Sequence, residues 1–166
     1  MGILVLGESM KKRPRIPKPI RNPVAEAVLI SDVRAAIRDD VANLKTAAEL
    51  QAWTGSSAAN LISNAGRMLW IVLGAALACG IDKESADIRI LRGLGEALGD
   101  LQADGRIEQH RASIQAGLLA AERLLPLCSD IAMAAASYEL DGLLNTAQGM
   151  GTSDLAAMLD RAVAAA

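Results

Sequence analysis

The residues that could perform catalysis are few and widely separated. The chain has one histidine, His110, and two cysteines, Cys79 and Cys128. A general base needs a hydrogen-bonded partner, and Glu108, two residues before His110, points to another side of a helix. Both cysteines stand in apolar sequence, LACGI and LPLCS, which favours buried structural thiols over nucleophiles. Neither residue type predicts a catalytic centre.

The acidic residues offer no complete metal site. Asp39 and Asp40 are neighbours, so their side chains diverge on a helix, whereas Asp100 and Asp104 form an exposed pair four residues apart. A divalent cation needs more oxygen ligands than either pair supplies, and one His with two Cys cannot complete a zinc site. We therefore expect a protein without a metal, a cofactor or catalytic residues, and not an enzyme.

The segment RGLGEALGD looks only superficially like a nucleotide-binding loop. Gly93, Gly95 and Gly99 are spaced one residue too widely for the dinucleotide fingerprint, which also requires a preceding strand. These glycines stand inside a helical repeat. Close packing between helices is therefore the better interpretation of them.

The elements that position these residues are predicted to be helices. Alanine, which loses least on entering a helix, accounts for 32 of the 166 residues, and phenylalanine is absent. No stretch shows the sustained apolar and polar alternation of a strand. We expect an all-α protein, a compact bundle of six or seven helices, in which residues 24–166 form a single helical domain.

The first helices follow from apolar spacing and from capping residues. Apolar residues three and four positions apart predict an amphipathic helix over residues 24–44, with Pro23 at its first position. Thr46 and Glu49 have the spacing of a capping box, which predicts a separate short helix ended by Gly55.

The longest uncharged apolar run, MLWIVLGAALACGI over residues 68–81, decides the membrane question in the sequence. It belongs to a long helix that Ser56 or Ser57 would cap and Gly80 would close. The run has 14 residues, whereas a membrane-spanning helix needs about 20. We therefore expect a buried central helix, with Leu69, Val72, Leu73 and Ala76 in mid-core, flanked by Leu91, Leu98 and Leu118.

The second half of the chain repeats the same pattern. Asp82 is predicted to cap a helix that ends at Gly105, and the next helix runs over about 107–125 until Pro126 interrupts it. The segment 127–148 is predicted to form a further helix. Its periodicity directs four residues towards the core: Ile131, Ala135, Tyr138 and Leu144.

Positive charge is concentrated in an N-terminal arm, residues 1–23, which the prolines predict to be flexible and not helical. Its six bases are Lys11, Lys12, Arg13, Arg15, Lys18 and Arg21. With these bases and Glu8 set aside, 11 basic and 18 acidic residues remain in 22–166, a net charge of −7. The arm could bind phosphates of nucleic acid or an acidic protein surface, or it could be a solvated tail.

The order of these features resembles a loose group of small proteins from proteobacterial prophages and other mobile elements. In that group a Lys/Arg/Pro arm ending in N-P-hydrophobic-A precedes helices with a Trp, an Asn-Ala pair and an L-A-x-x-G-I turn. The group has no established activity, so the resemblance implies a setting in phage biology. The matching residues here are Lys11–Ala25, Trp53, Asn64, Ala65, Leu77, Ala78, Gly80 and Ile81.

These observations favour a non-enzymatic protein-binding function. The resemblance implies an accessory factor of a phage or mobile element, such as an inhibitor of a host or defence protein of the anti-CRISPR kind. The alternative is a small DNA-associated regulator that uses residues 11–21 to contact nucleic acid.

Location and association can also be predicted. Two cysteines fit a reducing cytosol, and MGILVLGESM lacks the basic region and cleavage site of a secretory signal, so we expect a cytoplasmic protein without membrane contact. Residues 152–166 predict a last helix that is marginally stable alone. Because that helix must dock, we expect a homodimer formed through it or through the segment 127–148.

Overall fold

The computed structural model describes the backbone of residues 23–147 and the side chains of residues 35–145. Within this range the chain is all-α, as predicted, and it contains no strand. Residues 23–147 contain five α-helices, fewer than the six or seven predicted for the chain, and the predicted helix over 152–166 lies outside the described residues. The helices are α1 (Pro23–Thr54), α2 (Ala58–Ala78), α3 (Ala86–Asp104), α4 (Ile107–Leu124) and α5 (Asp130–Ala147), and a 3-10 turn, Leu125–Leu127, precedes α5.

The first four helices form a closed up-and-down bundle, and α5 packs outside it. Each of α1 to α4 packs on its successor, and α4 returns to α1. On the α1 and α4 seam, the Lys45 ammonium lies 2.8 Å from Glu49 and 3.1 Å from Glu122. Burial acts to lower the pKa of Lys45, but its hydrogen bonds to both carboxylates outweigh burial and raise that pKa.

Helix α5 lies against α2 and α1, antiparallel to α2. Ser129, the residue before α5, contacts Cys79, just beyond the last residue of α2. Asp141, in the second half of α5, approaches Arg67 in the middle of α2 at 3.7 Å. Helix α2 therefore has neighbours on several sides and lies at the centre of the fold.

The break predicted at Thr46 does not occur, because α1 continues through this residue to Thr54. The Thr46 hydroxyl donates a 2.9 Å hydrogen bond to the Ala42 carbonyl, one turn earlier, and Glu49 pairs with Lys45. A capping box needs those side chains on free amides at a helix start. Inside a helix the hydroxyl instead bonds back to the preceding turn.

Apart from the break at Thr46, most predicted helix ends are confirmed, and the start of α3 is a second exception. Gly55 and Gly105 follow α1 and α3 with φ of 65° and 70°, the left-handed backbone that glycine adopts without a Cβ penalty. Ser57 caps α2 by accepting a hydrogen bond from the Asn60 amide at 3.3 Å. The prediction that Asp82 caps α3 is wrong: Asp82 accepts from the Glu84 amide in the preceding turn, and Ser85 is the cap residue.

The carbonyl groups at the end of α1 are capped by an arginine of α4. The Arg111 Nε donates to the Ala52 carbonyl at 2.8 Å, and its Nη2 donates to the Trp53 carbonyl at 3.4 Å and to Glu108 at 2.6 Å. The last carbonyls of a helix have no partner inside it, so this side chain supplies donors that they lack.

The predicted centre of the core is confirmed in all but one residue. Leu69 is half-buried at the edge of the core. In length and composition α2 could also cross a membrane, and it is the one described helix that could. In this fold its apolar faces pack against other helices, as expected for a central core helix. The buried members of the predicted set are Val72, Leu73, Ala76, Leu91, Leu98 and Leu118.

Glycine and alanine allow the helices to approach closely, but the closest approaches lie outside the predicted segment RGLGEALGD. Of the three glycines in RGLGEALGD, only Gly95 faces a neighbouring side chain, Leu69, and the other two have open space. The closest approach is at Gly117 of α4, where a Cβ would lie 2.5 Å from the Cβ of Leu94. Gly74 of α2 likewise admits Ala136 of α5, whose Cβ would be 3.3 Å from an added Cβ.

The inward face predicted for α5 is wrong in three of its four residues, and only Leu144 packs against the core. Ile131 and Tyr138 are 62% and 82% exposed. Ala135 is exposed too, and Leu144 is half-buried. The helix instead buries Met133, Ala136 and Leu140. Ala136, a small residue, lies in the narrow gap beside Gly74, and Met133, one turn earlier on the same face, is fully buried. Shape complementarity therefore decides which face of α5 is buried, although the face with Ile131 and Tyr138 has the larger apolar side chains.

Substituting Gly117 by alanine tests the α3 and α4 seam. An added methyl group at Gly117 collides with Leu94, so we expect Gly117→Ala to lower the free energy of unfolding by about 1–3 kcal/mol. The matched control is Gly93→Ala on α3, which has nothing within 4 Å of its added Cβ. Because alanine favours helix, the control should be neutral or more stable by up to about 1 kcal/mol. Urea unfolding of both variants measures the difference, and equal effects would contradict the close seam.

Candidate protein-binding surface

Three of the six large apolar side chains that are exposed in the described structure lie on α5 and in the turn before it. We call Leu127, Ile131, Ala135 and Tyr138 the α5 surface. In the helix, residues 131, 135 and 138 succeed one another at intervals of four and three, so they share one face. Leu127 is 63% exposed in the turn that leads into that face.

Arg38 of α1 fixes the start of α5 and hence the direction of this surface. Its Nε pairs with Asp130, its Nη2 donates to the Cys128 carbonyl at 3.0 Å, and its Nη1 donates to the Leu125 carbonyl at 3.4 Å. One planar guanidinium thus holds the 3-10 turn and the first residue of α5 together. The Ser129 hydroxyl then caps α5 by accepting from the Ala132 amide at 3.2 Å.

The charges beside the α5 surface are acidic or already paired. Asp130 is engaged by Arg38, and Asp141 approaches Arg67. Glu139, next to Tyr138, is exposed and forms no ion pair with a described residue. This surface therefore offers an apolar centre with one acid beside it, Glu139, that is unpaired in the described structure, a pattern that suits a partner with apolar residues and a lysine or arginine at its rim.

Three other large apolar side chains are exposed elsewhere in the described structure. Leu50 and Trp53, at the end of α1, are 63% and 73% exposed, and Leu119 on α4 is 52% exposed. They lie on other helices than the α5 surface. Leu50 and Trp53 are three residues apart and share a face of α1, so they form a second, smaller apolar surface that serves as the comparison for the α5 surface.

His110 has a partner that the sequence reasoning missed. Its Nε2 lies 2.8 Å from Asp104 Oδ2, and Asp104 also accepts from the Arg106 amide at 2.8 Å. The Arg106 amide, followed by His110, lowers the pKa of Asp104 below its usual value. A signal was present, because an acid at the end of one helix and a histidine early in the next meet across a short turn.

The Asp104 and His110 pair joins the end of α3 to the start of α4. No described hydrogen bond joins a hydroxyl or a thiol to His110. Among the described residues no cluster of three or more metal-ligating side chains occurs either. The predicted acid pairs Asp39 with Asp40 and Asp100 with Asp104 thus gain no third ligand there.

The two cysteines differ from each other, contrary to expectation. Cys128 is buried as predicted, and desolvation, followed by the nearby Cys79, raises its pKa to about 11. Cys79 was expected to be buried but is exposed, because it lies beyond the last residue of α2, where the chain turns towards Gly80. Its Sγ accepts a 3.3 Å hydrogen bond from the Ser129 amide.

A shallow groove of about 470 Å³ separates α1, α2 and α5. Its floor is apolar, with Ile37, Ile71 and Leu140, and its rim is polar, with Arg67 and Asp141.

The predicted nucleic-acid-binding or partner-binding residues of the arm lie outside the described residues. So does the segment 152–166, in which a dimer contact was predicted. The arm residues concerned are Lys11, Lys12, Arg13, Arg15, Lys18 and Arg21.

Comparison with protein-family models, with curated proteins and with solved structures gave no match. The resemblance to prophage proteins therefore rests on sequence motifs alone.

Replacing Arg38 by lysine tests how the α5 surface is held. A lysine keeps the charge but has one ammonium in place of the planar fork, so it cannot bond Asp130 and two carbonyls together. We expect amides of α5 to exchange faster with solvent and the free energy of unfolding to fall by about 1 kcal/mol. Arg89→Lys is the control, because Arg89 is exposed on α3 and has no described side-chain partner. Unchanged exchange in α5 would contradict the anchoring role.

Proposed function

We propose that this protein acts without catalysis, by binding another protein through the α5 surface. The observation that carries the proposal is the exposure of Ile131 and Tyr138 on one face of α5 while smaller residues of the same helix fill the core. Leaving such side chains in water forgoes about 1.5–3 kcal/mol each relative to burial. A partner that covers them recovers this free energy.

The composition of the α5 surface supports a protein partner. Tyrosine is among the residues most enriched at binding hot spots, because it combines apolar area with a hydrogen-bonding hydroxyl. Tyr138 is the most exposed large apolar side chain in the described structure, at 82%. Arg38 and the Ser129 cap hold the helix that carries it, so the surface is preformed and binding orders little chain.

The biological setting is proposed on the sequence resemblance. In that setting the protein would be a cytoplasmic accessory factor of a phage or mobile element that inhibits a host or defence protein. The net charge of −7 over residues 22–166, with Glu139 beside the α5 surface, favours a partner with a basic rim.

A comparative pull-down tests the surface. The tagged protein is incubated with a lysate of the cells that carry its gene, and the wild type is compared with an Ile131→Asp/Tyr138→Asp variant. Both positions are exposed, so the fold should survive, as circular dichroism will show. We expect affinity for a captured partner to fall at least about 100-fold in the double variant.

The matched control carries Leu50→Asp and Trp53→Asp, which alter equally exposed apolar residues at the end of α1. It should retain the partner. Loss of binding in the control but not in the α5 variant would assign the function to another surface. Light scattering of the same variants adds a second outcome: a wild-type dimer that the α5 variant dissociates would make a second copy the occupant of the α5 surface.

A second candidate function rests on the basic arm, whose six positive charges lie within residues 11–21. In this alternative the protein is a DNA-associated regulator held by phosphate contacts. Gel shifts over a series of salt concentrations separate the two functions. DNA binding that weakens steeply with salt and disappears when residues 11–21 are deleted would support the DNA function. Absence of binding at low salt would leave the protein-binding function alone.

A further inference from the structure

We propose that Cys79 and Cys128 are a thiol-modification site, in which exchange with glutathione disulfide produces an intramolecular disulfide. The bond would join the end of α2 to the start of α5. The described residues contain these two cysteines and no third, and the fold brings them together although 48 residues separate them.

A hydrogen bond sets an upper limit on the distance between Cys79 and Cys128. Cys79 Sγ lies 3.3 Å from the amide nitrogen of Ser129, the residue that follows Cys128. That nitrogen is about 2.4 Å from the Cα of Cys128, so Cys79 Sγ is at most about 6 Å from that Cα. Adding the distance from the Cys79 Sγ to its own Cα gives a separation of at most about 8.5 Å between the two Cα atoms, against about 4.4–6.8 Å in disulfides. A shift of about 2 Å at most therefore brings the Cα separation into that range.

The two thiols are suited to different steps of the exchange. Cys79 is exposed, so a small disulfide can reach its sulfur, whereas Cys128 is 2% exposed and accessible only from within the protein. Cys79 would therefore react first and Cys128 second. Burial keeps an external disulfide away from the Cys128 sulfur, and the pKa of Cys128, raised to about 11, makes its attack on the Cys79 sulfur the slower of the two steps.

The exchange balances in two steps. The Cys79 thiolate attacks one sulfur of glutathione disulfide, which forms a mixed disulfide and releases one glutathione thiolate. Cys128 then loses its proton to solvent and attacks the Cys79 sulfur, and the second glutathione leaves as a thiolate. The two protein thiols are oxidised to one disulfide, and glutathione disulfide is reduced to two molecules of glutathione.

The disulfide would fasten α5 to α2 at the end where Arg38 and the Ser129 cap already hold it. A cross-link that closes a loop of this length restricts the unfolded chain, so we expect the melting temperature to rise by roughly 5–10 °C.

Intact-mass analysis of the full chain after incubation with glutathione disulfide tests the proposal. We expect loss of two hydrogen atoms, a proteolytic fragment that links the peptides of Cys79 and Cys128, and the rise in melting temperature. Cys128→Ala should stop at one added glutathionyl group, and Cys79→Ser should not react. The wild-type protein with glutathione disulfide gives the reference rate of disulfide formation.

Three results would overturn the proposal. They are a wild-type protein that stops at the mixed disulfide, one that gives only disulfide-linked dimers, and one that does not react. If Cys128→Ala fails to fold, the peptide map of the wild type decides the outcome, because it needs no variant.

Discussion

The constraint on which this structure depends is the width of the gap between neighbouring helices. With no phenylalanine in the chain, the core is filled mainly by aliphatic residues and alanine, and contact across it requires short distances between backbones. Gly117 lets α4 approach Leu94 of α3, and Gly74 lets α5 approach α2 through Ala136. A Cβ at residue 117 would collide with Leu94. The short distance between α3 and α4 therefore requires glycine at this position.

The same constraint explains why α5 carries an exposed apolar face. Only a small residue fits beside Gly74, so the helix is rotated to place Ala136 there, with Met133 and Leu140 on either side. Ile131 and Tyr138 then point away from the bundle. The Arg38 fork holds this arrangement at the start of the helix. A packing requirement in the core thus generates the surface that we propose binds a partner.

The sequence predicts the fold class and most helix ends because these depend on local chemistry. Ser57 and Gly105 end or begin helices through their own backbone and side-chain preferences. The helix start predicted at Thr46 is wrong because the spacing of a capping box also occurs inside helices. Only the packing around the residue decides whether it starts a helix or lies within one. The His110 contact with Asp104 spans a turn, so periodicity within one helix could not show it.

The α5 surface could not be predicted from periodicity, because two faces of that helix are apolar. Hydrophobicity favours the face with Ile131 and Tyr138, whereas the shape of the gap beside Gly74 favours the other. The candidate binding residues of the arm follow from the charge of the sequence, which can be read without a structure. Shape complementarity between distant segments is the information that a single helix pattern lacks.

Hydroxyl-radical footprinting of the intact protein tests the rotation of α5 most directly. Tyr138 is the single tyrosine of the chain and is 82% exposed, whereas Met133 of the same helix is fully buried although methionine is intrinsically reactive. The account predicts rapid oxidation of Tyr138 and protection of Met133 until the protein is unfolded. Protection of Tyr138 together with rapid oxidation of Met133 in the folded monomer would contradict it.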